Sequence, residues 1–199
     1  MQAPTIIGLT GPAGCGKDTV RVILAEHGYY GMAMADPIRE MLKPLLLACG
    51  VDLIWMTARH LKEKPMPVLG VSYRHLAQTL GTEWGRALAP DLWLRVAEAS
   101  MLEVSVSTFG PPCFVVSDVR FPNEAAWIRD MGGQVWRIDR PGVEPVREHA
   151  SEALATTIEP DLTLMNNGSI DDLYITVAAA LASQSTPDET DHASTLPES

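Results

Sequence analysis

Residues Gly11-Pro12-Ala13-Gly14-Cys15-Gly16-Lys17 have the spacing G-x-x-x-x-G-K. Such a loop holds phosphate. Its glycines let successive backbone N–H groups turn inward around phosphate oxygens, the helix that follows adds a positive partial charge, and the lysine reaches the β- and γ-phosphates. Gly11, Ala13, Gly14, Cys15, Gly16 and Lys17 are therefore expected to bind a nucleotide, with Lys17 also catalytic. The general pattern continues with Ser or Thr, but here Asp18 comes next and Thr19 follows it. A carboxylate is a hard oxygen ligand for Mg²⁺, although it places negative charge beside phosphate unless the metal lies between them. Asp18 is thus a candidate metal ligand, and Thr19 an alternative contact to the metal or to the α-phosphate. Cys15 has two readings: a thiol made acidic by the helix N-terminus, whose alkylation would block the site, or a small side chain where Ser would also fit.

The second half supplies further groups suited to phosphoryl transfer. Asp118 ends the apolar run Cys113 to Ser117, where a second carboxylate can hold Mg²⁺ directly or through water. The same position also suits a helix cap, because Pro122 and Glu124 open a helix. Arg120 is placed to pair with phosphate. Arg137, Arg140 and Arg147 surround the Pro/Gly-punctuated stretch Pro141 to Pro145, a composition that suits a mobile lid. An arginine closed over the transferring group would neutralise its charge and exclude water, and Arg140 is the first candidate. No dedicated general base stands out. A phosphate acceptor is already ionised at neutral pH, so Asp18 and Asp118 fit around Mg²⁺ better than as proton acceptors.

These residues need a scaffold that brings strand ends together. Thr5 to Thr10, Tyr29 to Ala35, Cys113 to Asp118, Gln134 to Asp139 and Leu162 to Met165 read as buried strands. Helices are expected over Asp18 to His27, Pro37 to Cys49, Ser72 to Leu88, Pro90 to Val106, Phe121 to Met131 and Ile170 to Ala182. Strands alternating with helices of this length imply right-handed crossovers, and so an α/β fold with a three-layer parallel sheet covered on both faces.

Composition narrows the class. A chain of 199 residues can bury about 70% of its unfolded surface in one core, so no disulfide framework or structural metal is required. Cys15, Cys49 and Cys113 form no C-x-x-C pair, which points to a reducing compartment. The acidic residues outnumber the basic ones 25 to 15; Ser183 to Ser199 holds four of the former and no Lys or Arg, leaving the rest of the chain at −6. Residues 183–199 are expected to be a disordered acidic tail and 1–182 the folded domain. Such a charge is unsuited to binding nucleic acid polymers. No run approaches the ~18 apolar residues of a membrane span, and Met1 to Pro4 lacks the layout of a signal peptide, so a cytoplasmic location is expected. A GTP-dependent switch is disfavoured because no Asn-Lys pair is available for N-K-x-D, and the Leu-Ser-Gly-Gly signature of transporter ATPases is missing.

The chain also resembles a known family. Gly-Lys-Asp-Thr at 16–19, Ala-Asp-Pro-Ile-Arg at 35–39, Leu-Gly-Thr-Glu-Trp-Gly-Arg at 80–86, Ser-Asp-Val-Arg-Phe-Pro-Asn-Glu at 117–124, Arg-Pro at 140–141, His-Ala-Ser-Glu at 149–152 and Asn-Asn-Gly-Ser at 166–169 follow the order seen in phage-type deoxynucleoside monophosphate kinases. The resemblance covers roughly residues 5 to 182. It implies a P-loop fold of the adenylate kinase type, with a small lid at about 140–152 and acceptor-binding helices at about 36–95. The implied reaction moves the γ-phosphate of ATP to a deoxynucleoside monophosphate with Mg²⁺, in the host cytoplasm if phage-encoded, on a monomer or homodimer.

Carried onto this sequence, the resemblance makes Asp36, Arg39, Arg74, Gln78, Thr82, Glu83 and Arg86 candidates for the acceptor site. Arginines there would bind phosphate, and the others base or sugar edges. Arg120, Glu124, His149 and Glu152 join that set, Arg137 joins the nucleotide site, and Asn166 is expected near adenine. Trp84 and Trp93 have two readings, base stacking or core. Two alternatives stay open: a kinase for another phosphorylated metabolite, of the dephospho-coenzyme A or phosphomevalonate type, and a nucleotide-binding regulatory domain without turnover.

Overall fold

The computed structural model describes residues 5–108, 110–143 and 154–185. Five strands, β1 (Ile6–Thr10), β2 (Tyr29–Ala33), β3 (Cys113–Ser117), β4 (Gln134–Asp139) and β5 (Leu162–Met165), form one sheet in the order β2-β3-β1-β4-β5. Every pairing is parallel, with Gly8 opposite Val116 on one side and Val135 on the other. Alternate residues of a strand face opposite sides of a sheet, and the core divides accordingly. Ile7, Leu9, Val115, Trp136 and Ile138 pack against α1 (Lys17–Glu26) and α8 (Ile170–Ser185). Ile6, Phe114, Val116 and Val135 pack on the other side against α6 (Leu92–Ser107) and α7 (Pro122–Asp130). The predicted three-layer arrangement is the one observed.

Between β2 and α6 the chain builds a smaller unit with a core of its own. Ile38, Leu42 and Leu46 of α2 (Asp36–Ala48) pack with Met56 of α3 (Ile54–Thr57), Met66, Tyr73 and Trp93. The single helix expected over 72–88 is instead three pieces: α4 (Tyr73–Gln78), a π-helical segment (Thr79–Gly85) and α5 (Arg86–Leu88). Trp93 explains the change. Its indole Nε1 donates to the Gly81 carbonyl at 2.7 Å, drawing that oxygen toward a partner outside the helix. The ring also lies so close to Gly85 that a Cβ there would fall 2.4 Å from it. At the other end of the domain, the last helix reaches Ser185, past the predicted stop at Ala182, because the polar residues that suggested a tail still continue the turn.

β1 lies at the centre of the sheet, with neighbours on both sides reached by crossovers in opposite directions. Open parallel sheets bind ligands at such a switch point, outside the carboxyl ends of the strands. Both the Gly11–Lys17 loop and Asp118 leave strands at that edge.

Candidate active site

The loop after β1 is held open by glycines that no other residue could replace cheaply. Gly16 has φ +113, and a Cβ on it would sit 2.4 Å from Asn166 Nδ2. Asn166 follows β5 and donates from Nδ2 to the Cys15 carbonyl at 2.7 Å. This contact gives Asn166 a defined role in holding the loop's shape. Lys17 donates from Nζ to the carbonyls of Gly11 (2.7 Å) and Pro12 (2.9 Å), so its ammonium lies curled inside the loop. Asp18 is exposed on the first turn of α1, and Thr19 beside it is half-buried.

Cys15 corrects one of its two sequence readings. The thiol is fully buried, 3.9 Å from Lys17 Nζ. Burial pushes its pKa up, with Asp139 adding to the rise and Lys17 opposing it. The helix N-terminus was expected to acidify the thiol, but Sγ turns inward to the core, where desolvation prevails.

A cleft separates the loop from the ends of the neighbouring strands. Gly11, Pro12, Ala13 and Lys17 line one side; Asp118, Arg120, Arg137 and Asp139 line the other, with Ala155 and Thr156 completing it. Asp118 has φ +62, the only positive φ of a non-glycine among the described residues. Strained backbone of this kind costs of order 1–3 kcal/mol and collects at functional sites. The turn ends β3 one residue before the predicted boundary and sets the carboxylate between two cations, 3.9 Å from Arg39 Nη2 and 4.0 Å from Arg120 Nη2. Arg137 donates to the Ile158 carbonyl, which fixes it along the cleft. Arg140 is exposed just past β4. Arg147, His149 and Glu152 lie outside the described residues.

On the acceptor side, Asp36 turns back at the start of α2 to accept from the Ala33 backbone N–H (2.7 Å) and from Arg39 Nη1 (2.6 Å). Asp36 thus aims Arg39 toward Asp118. Arg74, on α4, pairs with Glu63. Gln78 ends α4, while Thr82 is half-buried and Glu83 exposed on the π-helical segment. Trp84 is exposed. Trp93 is 5% exposed in the core, so its indole packs the fold and offers no open stacking face.

Arg86 and Glu124 meet each other. Arg86 Nη1 lies 3.2 Å from Glu124 Oε1, Nη2 donates to Asn123 Oδ1, and the guanidinium lies 3.7 Å over the Phe121 ring. Glu124 Oε2 accepts from the backbone N–H groups of Arg120 (2.8 Å) and Phe121 (3.1 Å). Burial pushes its carboxyl up; those N–H groups, Arg86 and Arg120 pull the other way. This clamp ties α5, directly after the π-helical segment, to the turn that carries Asp118.

Three side chains at the site were missed by sequence reading. Asp139 is the last residue of β4 and Asp118 directly follows β3, so the same strand-end carboxylate signal was available for Asp139. Arg59 and Lys62 lie in the stretch between α3 and α4, which reads as a polar, Gly/Pro-punctuated connector without a motif. Arg59 Nη2 is 3.3 Å from where a Cβ on Gly14 would be, and Lys62 shares the electrostatic field of Arg39, Arg74, Asp18 and Asp118.

The sequence pattern of the deoxynucleotide monophosphate kinases matches residues 51–177. This chain belongs to that family. Among its relatives, a mimivirus (Acanthamoeba polyphaga mimivirus) protein provisionally assigned as a deoxynucleotide monophosphate kinase is 31% identical over 178 residues, 85% of this chain and 92% of the relative. The deoxynucleotide monophosphate kinase of Escherichia phage RB69 is 33% identical over 104 residues, 52% of this chain and 42% of the phage protein. Among solved structures, a Thermus thermophilus protein aligns over 92% of this chain and 98% of its own with TM-score 0.50 and 22% identity, a likeness of fold. No helix among the described residues is long and apolar enough to cross a membrane.

Proposed function

We propose that the chain transfers the γ-phosphoryl group of ATP to a deoxynucleoside monophosphate, giving ADP and the deoxynucleoside diphosphate, with Mg²⁺ as the metal. The observation that carries this reading is the convergence of the Gly11–Lys17 loop, Asp118 and the arginines 39, 120 and 137 at one edge of the sheet, in a member of this family.

The donor triphosphate occupies the loop. Lys17 exchanges its hydrogen bonds to Gly11 and Pro12 for the β- and γ-phosphates, which keeps the ammonium paired before and after binding. No cluster of three or more metal-ligating side chains occurs among the described residues. Mg²⁺ typically takes one or two carboxylates together with substrate phosphates and water, and Asp18 and Asp118 fit that donor set. When bound there, the metal would neutralise charge shared between the donor phosphates.

The acceptor phosphate lies beside Arg39 and Arg74, its base toward Gln78, Thr82 and Glu83. Because that phosphate is ionised, its oxygen attacks in line without a proton acceptor, and the protein's task is positioning and charge neutralisation. Arg120 and Arg137 flank the group in transfer, and Arg140 closes from the lid side. A binding module on the same loop would hold ATP without turnover. ADP release measured with ATP and Mg²⁺ against the four common deoxynucleoside monophosphates and their ribose counterparts separates the readings. The expected result is release that depends on at least one deoxynucleotide, with the matching diphosphate formed. Silence across the panel from protein shown to bind ATP would reject the reading.

A further inference from the structure

The connector between α3 and α4 is anchored at both ends and in its middle. Leu61 and Lys62 donate backbone N–H groups to the Ala58 carbonyl at 2.9 and 3.2 Å, and Arg74 at the start of α4 donates its N–H to the Lys62 carbonyl at 3.0 Å. Further along, Met66 is fully buried in the small core, and its N–H donates to the Val71 carbonyl at 2.9 Å. These bonds fix the backbone from which Arg59 and Lys62 project. Arg59 meets the phosphate loop at Gly14, and Lys62 is tied by its backbone to the helix bearing Arg74, so the connector spans from the donor loop to the acceptor arginines.

Lys62 is half-buried, and the charges that act on its ammonium come from four elements: Arg39 of α2 and Arg74 of α4 on the acceptor side, Asp18 of α1 and Asp118 past β3 on the donor side. No carboxylate among the described residues lies within ion-pair distance of its ammonium, whereas Arg39, Arg74 and Arg86 each have one. A half-buried amine that two arginines repel and that no carboxylate pairs with directly is a ready contact for an anion. Burial and the two arginines lower its pKa, and Asp18 and Asp118 oppose them.

We propose that Lys62 is a catalytic residue whose ammonium bridges the acceptor phosphate and the γ-phosphoryl group during transfer. This assignment rests on the kinase reading above and adds a residue to it. In the step, an acceptor phosphate oxygen forms a bond to the γ-phosphorus while the bond from that phosphorus to the β,γ-bridging oxygen breaks, and ADP leaves with the electron pair. Lys62 gives up no proton. It acts as a compact point charge on the equatorial oxygens, where negative charge spreads in the transition state.

The test is steady-state kinetics of Lys62→Met and Lys62→Arg in the full chain, with ATP and the deoxynucleotide that the wild type uses. A direct ATP-binding measurement and a thermal melt are run on each variant. Loss of one preorganised charge from a transition state should lower kcat of Lys62→Met by about 100-fold or more, with ATP affinity and Tm close to wild type. Lys62→Arg, which keeps the charge, should recover at least about tenfold of that loss. Lys64→Met, at an exposed lysine two residues on, should keep the wild-type rate. If the Met variant loses its fold, Lys62→Gln is read in the same way. A kcat within a few-fold of wild type, a loss confined to KM, or no recovery with arginine would overturn the role of Lys62 alone. A wild-type chain that phosphorylates no acceptor would overturn the kinase reading and this role with it.

Discussion

Cys15 shows how far a residue type can mislead when its side-chain direction is unknown. A cysteine at a helix N-terminus within a phosphate loop suggests a reactive thiol, yet here the thiol is fully enclosed and burial raises its pKa. Iodoacetamide near neutral pH should therefore modify half-buried Cys49 and Cys113 before Cys15 in the folded protein, with peptide mass spectrometry assigning the sites. Fast modification of Cys15 in native protein would contradict its placement. Other residues were easier to read: Lys17, Asp118 and Arg120 were singled out by type and position and Arg39 by the family resemblance, and the structure brings them to one edge. Lys62 and Arg59 were not, because a connector carries no periodicity, and their position depends on hydrogen bonds to α4 and on the loop at Gly14. Asn166 was found as a residue, but its observed partner, the Cys15 carbonyl, lies 151 positions away and left no local sign.

Among the elements, the strands were the most legible. Each is a short apolar run bounded by turn residues, and buried parallel strands carry that pattern on both faces. The helix predicted over 72–88 shows where periodicity fails. Apolar spacing alone does not register that an indole from α6 captures a backbone carbonyl and reshapes the helix into a π-helical segment. Directly after that segment, α5 is docked by Arg86, Glu124 and Asn123 onto the turn bearing Asp118, a join between residues 37 or 38 apart in sequence. Glu124→Ala would leave two backbone N–H groups without their acceptor and Arg86 without its carboxylate partner. Removing one partner of such a buried pair should cost about 3–5 kcal/mol, or a Tm drop of about 10 °C in a chain of this size. Glu124→Gln retains an oxygen for the N–H groups and should lose less. A calorimetric melt of Glu124→Ala within about 1 kcal/mol of wild type would show that the clamp is not structural.

At the scale of the molecule, one sheet and two packing schemes place the chemistry. The faces of the sheet are covered by α1 and α8 on one side and α6 and α7 on the other, while α2, α3, α4 and Trp93 form a separate small core beside the carboxyl edge. The rigid sheet carries the donor loop and Asp118, and the smaller unit carries Arg39, Lys62 and Arg74. Phosphoryl transfer would take place across the boundary between them, which is where in-line geometry must be set. The layer architecture was legible because strand and helix patterns alternate. The second core was not, because Met56, Met66 and Trp93 come from segments with no common period. The central claim is that the γ-phosphoryl group passes directly to a deoxynucleoside monophosphate. It is tested most directly by incubating the protein with Mg²⁺, ATP labelled in the γ-phosphate and a deoxynucleoside monophosphate, and separating the labelled products. The label is expected in the deoxynucleoside diphosphate, and Lys17→Ala should abolish its transfer. Label released only as inorganic phosphate, or retained in ATP by a protein that binds both nucleotides, would contradict it.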